Sequence, residues 1–176
     1  MSETSGFTLL EILITLTLIA ILSLITIPTY QFFQTSHEQK ALRSQLSQAI
    51  ALTRIKAYSE GKVATLCKSK DKKTCGGNWL DGYIMMVNKQ VVHTFQNPTT
   101  KGTLKWRAAL NHQAIQFNPT NLFRSDNGTF WYCPEKSSQP TWLIVVNKTG
   151  HVREVTGRQL DEVISEGAKF DCNAII

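Results

Sequence analysis

The most prominent pattern in the chain is an uninterrupted apolar run near its N-terminus. Residues 12–29 read ILITLTLIAILSLITIPT and carry no charge. A helix needs about 20 residues, at about 1.5 Å rise per residue, to cross a membrane, and this run is of that length. The run is apolar all round and no comparable apolar segment follows it, so a buried core helix explains it less well.

A secretory signal peptide is the other alternative for this segment. It would need a basic region before the apolar core and a small-residue cleavage site after it. No Lys or Arg precedes the run, and the residues that follow, PTYQFFQTS, do not resemble a cleavage site. We therefore predict a membrane-spanning helix.

A second helical pattern follows Pro28. Apolar or small residues recur at helical spacing and form one face, at Leu42, Leu46, Ala49, Ile50, Thr53 and Ala57. Gly61 stands where a helix C-cap is expected. A continuous helix from Phe7 to Glu60 would extend about 80 Å. The apolar face of its second half requires a covering layer.

The rest of the chain alternates short apolar or aromatic runs with turn signals. The runs are VATLC (63–67), LDGYIMMVN (80–88), LKWRAAL (104–110), AIQF (114–117), TFWYC (129–133) and WLIVVN (142–147). Turn signals such as Asn97-Pro98 and Thr149-Gly150 separate them. The pattern predicts an α+β fold, in which an antiparallel β-sheet domain packs on the second half of one long helix.

The four tryptophans lie within or beside these runs. We expect them in the core or at its rim, and a stacking platform for bases is the alternative reading. They are Trp79, Trp106, Trp131 and Trp142.

Composition and charge divide the chain into two unlike parts. Its 176 residues are 42% hydrophobic and 18% charged, with a net charge of +6, which excludes a disordered chain. All 19 basic residues follow the apolar run, and with 11 acidic residues the part beyond Pro28 carries +8. A simple cytosolic globule would not segregate its charges in this way.

Glu11 is the one charge between Phe7 and Thr29. A carboxylate within an apolar span costs about 2.5–3.5 kcal/mol on insertion scales, so such a residue is expected to be functional. The surrounding sequence SGFTLLE (5–11) resembles the prepilin signature of type IV pilins and type II secretion pseudopilins. The resemblance implies cleavage by a prepilin peptidase between Gly6 and Phe7, followed by N-methylation of Phe7.

The same resemblance implies how the chain is organised. It predicts a leader peptide over residues 1–6, a transmembrane and filament-core helix over 7–28, an amphipathic continuation over 29–61 and a β-rich globular domain over 62–176. It places the chain in the bacterial inner membrane, with a periplasmic C-terminal domain, and then in a pilus or pseudopilus. Glu11 would pair with the terminal amine of a neighbouring pilin subunit, because an unpaired buried charge is costly.

The C-terminal half narrows the resemblance. The segments GTFWYC (128–133), LIVVN (143–147) and GHVR (150–153) are similar to the GspH/FimT/FimU group of minor pilins and pseudopilins. This group implies a low-abundance subunit that helps to initiate or cap a thin filament. A minor pilin of the type IV pilus is our first hypothesis, and a GspH-type pseudopilin of type II secretion is an alternative.

Four cysteines allow three pairings, and no C-x-x-C occurs. If the domain lies outside the cytoplasm, we expect disulfides. We favour Cys67–Cys75, which closes the Lys-rich loop KSKDKKT, and Cys133–Cys172, which pins the C-terminal tail to a strand. Four reduced, buried thiols are the alternative.

A DNA-binding minor pilin for natural transformation is a further alternative, in which the β domain captures double-stranded DNA. In the FimT branch the late motif reads Gly-Arg-x-Arg, whereas this chain has GHVR (150–153), with a His at the first Arg position. An unperturbed His is mostly neutral at pH 7, which weakens one phosphate partner. The candidate contacts are Lys68, Lys70, Lys72, Lys73, Lys148, His151, Arg153 and Arg158. The alternative interpretation is that the same residues form a solvated basic face.

Enzymatic activity finds little support in the sequence. No phosphate-binding loop, dinucleotide-binding fingerprint or H-E-x-x-H motif occurs. The four histidines are scattered without the spacing of metal ligands. We therefore expect neither a catalytic residue, nor a metal, nor a cofactor.

Overall fold

A computed structural model describes most of the chain. It covers residues 6, 8–98, 100–109, 112–121, 125–135, 137–168 and 170–172, without the side chains of 24–29, 31 and 32. The chain divides into two compact units, residues 1–39 and 40–176. Helix α1 spans Leu9–Glu60 and contributes to both units, each of which is described separately.

The first unit contains the N-terminal part of α1. Large apolar side chains are exposed around the helix from Leu9 to Leu22. The hydroxyls of Thr15, Thr17 and Ser23 donate hydrogen bonds to backbone carbonyls three or four residues earlier. These bonds satisfy the hydroxyl donors within the helix, so the surface of this segment is nearly all hydrocarbon.

The second unit begins with the remainder of α1. All six residues of the predicted apolar face, from Leu42 to Ala57, are fully buried. The helix ends at Glu60, where Gly61 has φ +63° and the Lys62 amide donates to the Ala57 carbonyl. This is the Schellman geometry of a glycine C-cap, and it confirms the predicted end of the helix.

Within the described residues, eight strands follow α1: β1 Ala64–Lys68, β2 Tyr83–Val87, β3 Gln90–Phe95, β4 Gly102–Ala108, β5 Ala114–Phe117, β6 Gly128–Pro134, β7 Trp142–Val146 and β8 Val152–Thr156. They form two four-stranded sheets with all described pairs antiparallel, in the orders β3-β2-β1-β5 and β4-β6-β7-β8. A short 3-10 helix, Trp79–Asp81, precedes β2, and helix α2, Arg158–Ser165, follows β8.

One core joins α1 to both sheets. It includes Leu46 and Ile50 from the helix, Leu66 from the first sheet, and Phe130 and Ile144 from the second. Arg43 and Ser47 on α1 also contact Glu154 of β8, with Arg43 Nε 2.9 Å and Ser47 Oγ 2.7 Å from the carboxylate. The prediction that a β domain covers the second half of the helix is therefore confirmed.

The opposite face of the second sheet carries its own apolar layer. Along each strand the side chains alternate between faces, so Trp131, Cys133 and Leu143 point away from α1. They pack with Leu160 of α2 and with Phe170 of the C-terminal segment. Neither α2 nor β3 was among the elements that the sequence pattern predicted.

Both predicted disulfides are present, Cys67–Cys75 and Cys133–Cys172, and the described cysteines include no free thiol. The tryptophans also lie where expected. Trp79, Trp131 and Trp142 are buried, and Trp106 is partly buried against the main core.

Candidate functional site

The first candidate site is the start of α1. Thr8 immediately precedes the helix, and its Oγ1 accepts a hydrogen bond from the Glu11 amide at 3.3 Å. Its carbonyl accepts from the amides of Glu11 and Ile12. The residues Thr8-Leu9-Leu10-Glu11 thus match a helix N-cap followed by an acidic third residue, where a carboxylate is favoured by the helix dipole.

The predicted processing residues lie just before this cap. Gly6 is exposed and lies outside the helix, whereas Phe7 and residues 1–5 lie outside the described part of the chain. Glu11 is exposed and lies in the first turn of α1. Across the described residues, no helix combines the length and hydropathy that crossing a membrane requires, so the predicted span over 7–28 is not confirmed.

The second candidate site comprises the basic residues of the β domain, and the structure separates them into groups. Lys70, Lys72 and Lys73 are exposed in the loop closed by Cys67–Cys75. Lys68, at the end of β1, donates from Nζ to Gln113 Oε1 at 3.3 Å. These four lysines lie at and beyond the C-terminal end of β1, where Lys68 pairs with Tyr83 of β2.

A single carboxylate organises the lysine loop. Asp71 accepts hydrogen bonds from the amides of Thr74 and Lys73, and from the hydroxyls of Thr74 and Ser69, at 2.7–3.0 Å. These bonds, led by that from the Thr74 amide, hold the pKa of Asp71 well below its usual value. The one acid of the loop, itself exposed, is therefore bonded to the loop backbone, and Lys70, Lys72 and Lys73 are exposed around it.

Three of the other predicted DNA-contact residues belong to the β7–β8 hairpin. Lys148 and His151 lie in its turn, Arg153 lies in β8, and all three are exposed. Asn147 fixes the turn, because its Oδ1 accepts from the His151 amide at 2.8 Å and from Thr149 Oγ1 at 2.6 Å. Arg158 stands beyond the opposite end of β8, at the start of α2.

The lysine loop and the hairpin turn lie at opposite ends of the first sheet. Gly150 of the turn sits against Phe117, which pairs with Ala64 at the start of β1. The lysine loop follows the last residue of β1, Lys68. The structure therefore does not bring all eight candidate residues into one patch.

Two features of the domain were not singled out from the sequence. His112 Nδ1 lies 2.6 Å from Asp126 Oδ1, and the buried Asp126 accepts from the Gln116 amide at 2.8 Å. We read this pair as structural, because it ties the β4–β5 connection to the segment before β6. Arg54 of α1 packs on Gly150, a contact between residues 96 positions apart that no local sequence signal could indicate.

The described residues contain no group of three or more His, Cys, Asp or Glu side chains that could hold a metal ion. The site residues are thus cations, one carboxylate near the N-terminus and exposed apolar side chains. Such groups can bind membranes, other subunits or polyanions through their surfaces.

Two family models match the chain. The one described as Type II transport protein GspH matches residues 43–150, more than half of the chain. The one described as Prokaryotic N-terminal methylation motif matches residues 1–27. No curated protein matches the chain.

Two crystal structures of the type IV minor pilin FimU from Pseudomonas aeruginosa are similar to the chain. The structure in space group P65 has a TM-score of 0.50 and 15% identity, covering 76% of this chain and 98% of FimU. The structure in space group P21 has a TM-score of 0.49 and 15% identity, covering 69% and 90%. At this identity, the similarity to the P65 structure shows the fold alone.

Proposed function

Because the chain belongs to the GspH family and carries an N-terminal methylation motif, we propose that it is a minor pilin acting in type IV pilus assembly. In this proposal a prepilin peptidase removes residues 1–6, and Phe7 becomes the methylated N-terminus. Residues 7–28 span the inner membrane before assembly and line the filament core afterwards. The β domain stands in the periplasm and then on the filament.

The observation that carries this proposal is the change in surface along α1. Near its N-terminus large apolar side chains are exposed around the helix, and its hydroxyls are bonded to its own backbone. Further on, Leu42, Leu46 and Ile50 are fully buried in the β domain. A helix with hydrocarbon exposed on every side requires either lipid or other helices around it, and a filament subunit encounters both.

Glu11 is the residue we assign to assembly. It lies in the first turn of this apolar segment, where a charge without a partner is strongly disfavoured. Cleavage after Gly6 creates an α-amino group on every subunit, and such an amine is an available cation for the carboxylate. The pairing would fix the axial position of each new subunit.

The test compares Glu11→Gln and Glu11→Ala with wild type in cells that lack the native gene. We expect both variants to lose the leader but to be absent from sheared filaments. Glu38→Gln is the matched control, since Glu38 lies on the same helix and contacts Gln34. Wild-type incorporation of Glu11→Gln would contradict the assembly role.

The same strains also distinguish a subunit of the type IV pilus from a subunit of the type II secretion system. Recovery of the processed chain in sheared type IV pili supports the proposal. If deletion of the gene instead blocks secretion of folded exoproteins and leaves pili intact, the chain is a type II secretion pseudopilin and the proposal fails.

A second candidate function, DNA binding for uptake, is favoured by the β7–β8 hairpin. The turn fixed by Asn147 carries Lys148 and His151, and Arg153 follows two residues later in β8, whereas the neighbouring acid Glu154 is paired with Arg43 on the opposite face of the strand. Sparse phosphate contacts of this kind give salt-sensitive binding without sequence preference. We expect duplex DNA to be retarded at low salt and Arg153→Ala to weaken binding. No retardation at low salt would exclude this function.

A further inference from the structure

Strand β3 forms one edge of the first sheet, because the strand order is β3-β2-β1-β5. Its outer side has no neighbouring strand. Among the residues that the structure describes, none outside β2 forms a hydrogen bond with the backbone of residues 90–95. The amides and carbonyls on the outer side of β3 are therefore available to pair with a further strand.

The opposite edge of the same sheet, at β5, is closed. The Gln116 amide donates to Asp126 Oδ2 at 2.8 Å, and the Gln116 carbonyl accepts from the Asp126 amide at 2.9 Å. Just beyond the strand, the Asn118 amide donates to Ser125 Oγ at 3.0 Å. The segment before β6 thus covers β5, whereas no described segment covers β3 in this way.

The side chains of β3 are also uncovered on both faces of the sheet. Residues 90–94 are exposed, with Val91 at 39% and Val92 at 43%, whereas the edge strands of the second sheet, β4 and β8, each carry buried residues. The six residues of β3 include no Pro, Lys, Arg, Asp or Glu. Since proline and charged residues commonly protect edge strands from pairing, β3 lacks that protection.

The backbone of β3 favours a short and specific partner strand. The strand begins after the two-residue turn Asn88–Lys89, whose φ values of +49° and +66° are those that a type I′ hairpin requires, so no flexible loop precedes it. Met85 pairs with His93 and Met86 with Val91, which leaves Val92 as the extra residue of a β-bulge. The bulge bends the edge, so it disfavours pairing with a long, flat strand.

The charges beside the start of β3 are positive. Lys89 is exposed in the turn that leads into the strand. The Asn88 amide donates to the Val63 carbonyl at 3.3 Å, so the turn lies beside the residue that follows the exposed Lys62. A partner strand with carboxylates at the end that lies beside Lys89 would complement this charge.

We propose that β3 pairs with an extended strand of a neighbouring, acidic subunit of the filament. An extended polypeptide offers the alternating donors and acceptors that an open strand edge requires. The partner strand runs antiparallel to β3, as in all described pairs of both sheets, so its C-terminal end carries the carboxylates beside Lys89. Apolar or β-branched residues in its middle contact Val91 and Val92.

Charge favours a different subunit over a second copy of this chain as the partner. The chain has a net charge of +6, and two identical chains would repel each other. The proposal rests on the filament role, and it adds the surface that makes the contact and the class of partner. A second copy is therefore treated as an outcome of the test.

The test measures hydrogen exchange of the full chain in detergent micelles, with two capped octapeptides as probes. Both peptides alternate valine and threonine, and one ends in two glutamates whereas the other ends in two lysines. At about ten times its Kd, the acidic peptide should slow exchange of the outward amides of residues 90–95 about tenfold. The basic peptide should bind more weakly, and Lys89→Glu should reverse this preference.

Val92→Lys is the variant that blocks the edge. A charge in the middle of an edge strand opposes pairing, so both peptides should bind about fivefold more weakly. Val92→Thr keeps the β-branched shape and should bind like wild type, as should Leu52→Lys, which adds the same charge at a 39% exposed position on α1. If Val92→Lys binds the acidic peptide more tightly, the attraction is one of charge alone and strand pairing is wrong.

Pilus-bearing cells distinguish this proposal from the function on which it rests. Val92→Lys should lose its leader but be recovered from sheared pili in smaller amounts than wild type and Val92→Thr. Equal recovery of all three, with no slowing of exchange in β3 by either peptide, would overturn strand pairing and leave the pilin role intact. Absence of the wild type from pili would overturn both. Protection of residues 90–95 in a dimer without peptide would make the occupant a second copy, and the proposal would be wrong.

Discussion

At the scale of single residues, Asp71 shows how one side chain sets the shape of a charged surface. The loop between Cys67 and Cys75 contains several lysines, whose mutual repulsion opposes a compact turn. Asp71 compensates by accepting bonds from Lys73, Thr74 and Ser69. The loop therefore keeps a defined conformation while Lys72 adopts the uncommon φ of +61°.

Replacing Asp71 with Asn should destabilise the loop in a pH-dependent manner. The pKa of Asp71 is lowered in the folded protein, so its carboxylate contributes stability above the unfolded pKa of about 3.9. That contribution is lost as the pH falls through the folded pKa. We expect Asp71→Asn to melt below wild type at pH 7, with the two melting temperatures converging below about pH 4.

Thermal melts of both proteins between pH 7 and pH 3 measure this difference. Asp161→Asn is the control, because Asp161 is an exposed acid in the first turn of α2. A gap between wild type and Asp71→Asn that stays constant across the pH range would contradict the assigned role. The sequence shows the lysines of this loop but not the role of Asp71, because that role depends on the local backbone path.

At the scale of elements, the sequence predicted segments with strong hydrophobic periodicity correctly and missed segments with weak periodicity. The α1 face from Leu42 to Ala57 repeats over four turns, and every member is buried. In β3, residues 90–94 are exposed on both faces, so no alternation marks it as a strand. Helix α2 has only Leu160, Val163 and Ile164 to mark its apolar side, and its partner is a sheet face formed by distant segments.

The buried face of α1 gives a prediction about the stability of the β domain. Leu46 is fully buried between the two sheets, so Leu46→Ala removes apolar burial and leaves a cavity. We expect a loss of about 2–5 kcal/mol in the free energy of unfolding. Leu52→Ala, on the exposed side of the same helix segment, should change it by well under half as much.

Urea unfolding followed by tryptophan fluorescence measures both variants, because Trp79 and Trp142 are buried in this core. Equal losses for Leu46→Ala and Leu52→Ala would show that α1 is not anchored in the domain by the face described. The sequence predicted this face but not that Glu154 of β8 would contact Arg43 and Ser47 beside it. The pairing of Glu154 with Arg43 and Ser47 depends on the register of the second sheet.

At the scale of the whole molecule, the chain separates an apolar helix from a basic domain, and covalent links reinforce the domain. The cysteine spacing left three pairings open, and both favoured pairs occur because β1 and β6 each carry one partner. The Cys133–Cys172 bond holds Phe170 and neighbouring residues over the outer face of the second sheet. The basic residues were identified from the sequence, but their division between two ends of the domain required the strand order.

The two disulfides should contribute unequally to stability. They close segments with sequence separations of 8 and 39 residues. In the chain-entropy model these separations correspond to about 2.5 and about 4 kcal/mol at 25 °C, since the longer loop gains more freedom when it is opened. The Cys133–Cys172 bond additionally holds Phe170 against Trp131, at 5.6 Å between ring centroids, and this contact weakens if the tail is released.

We therefore expect the double variant Cys133→Ala with Cys172→Ala to lose at least about 1.5 kcal/mol more than Cys67→Ala with Cys75→Ala. Urea denaturation of both variants under oxidising conditions gives the two free energies. The ranking matters for function, because opening the lysine loop would then cost the fold less stability than releasing the tail. A larger loss for the Cys67–Cys75 variant would mean that the lysine loop, not the tail, holds the domain together.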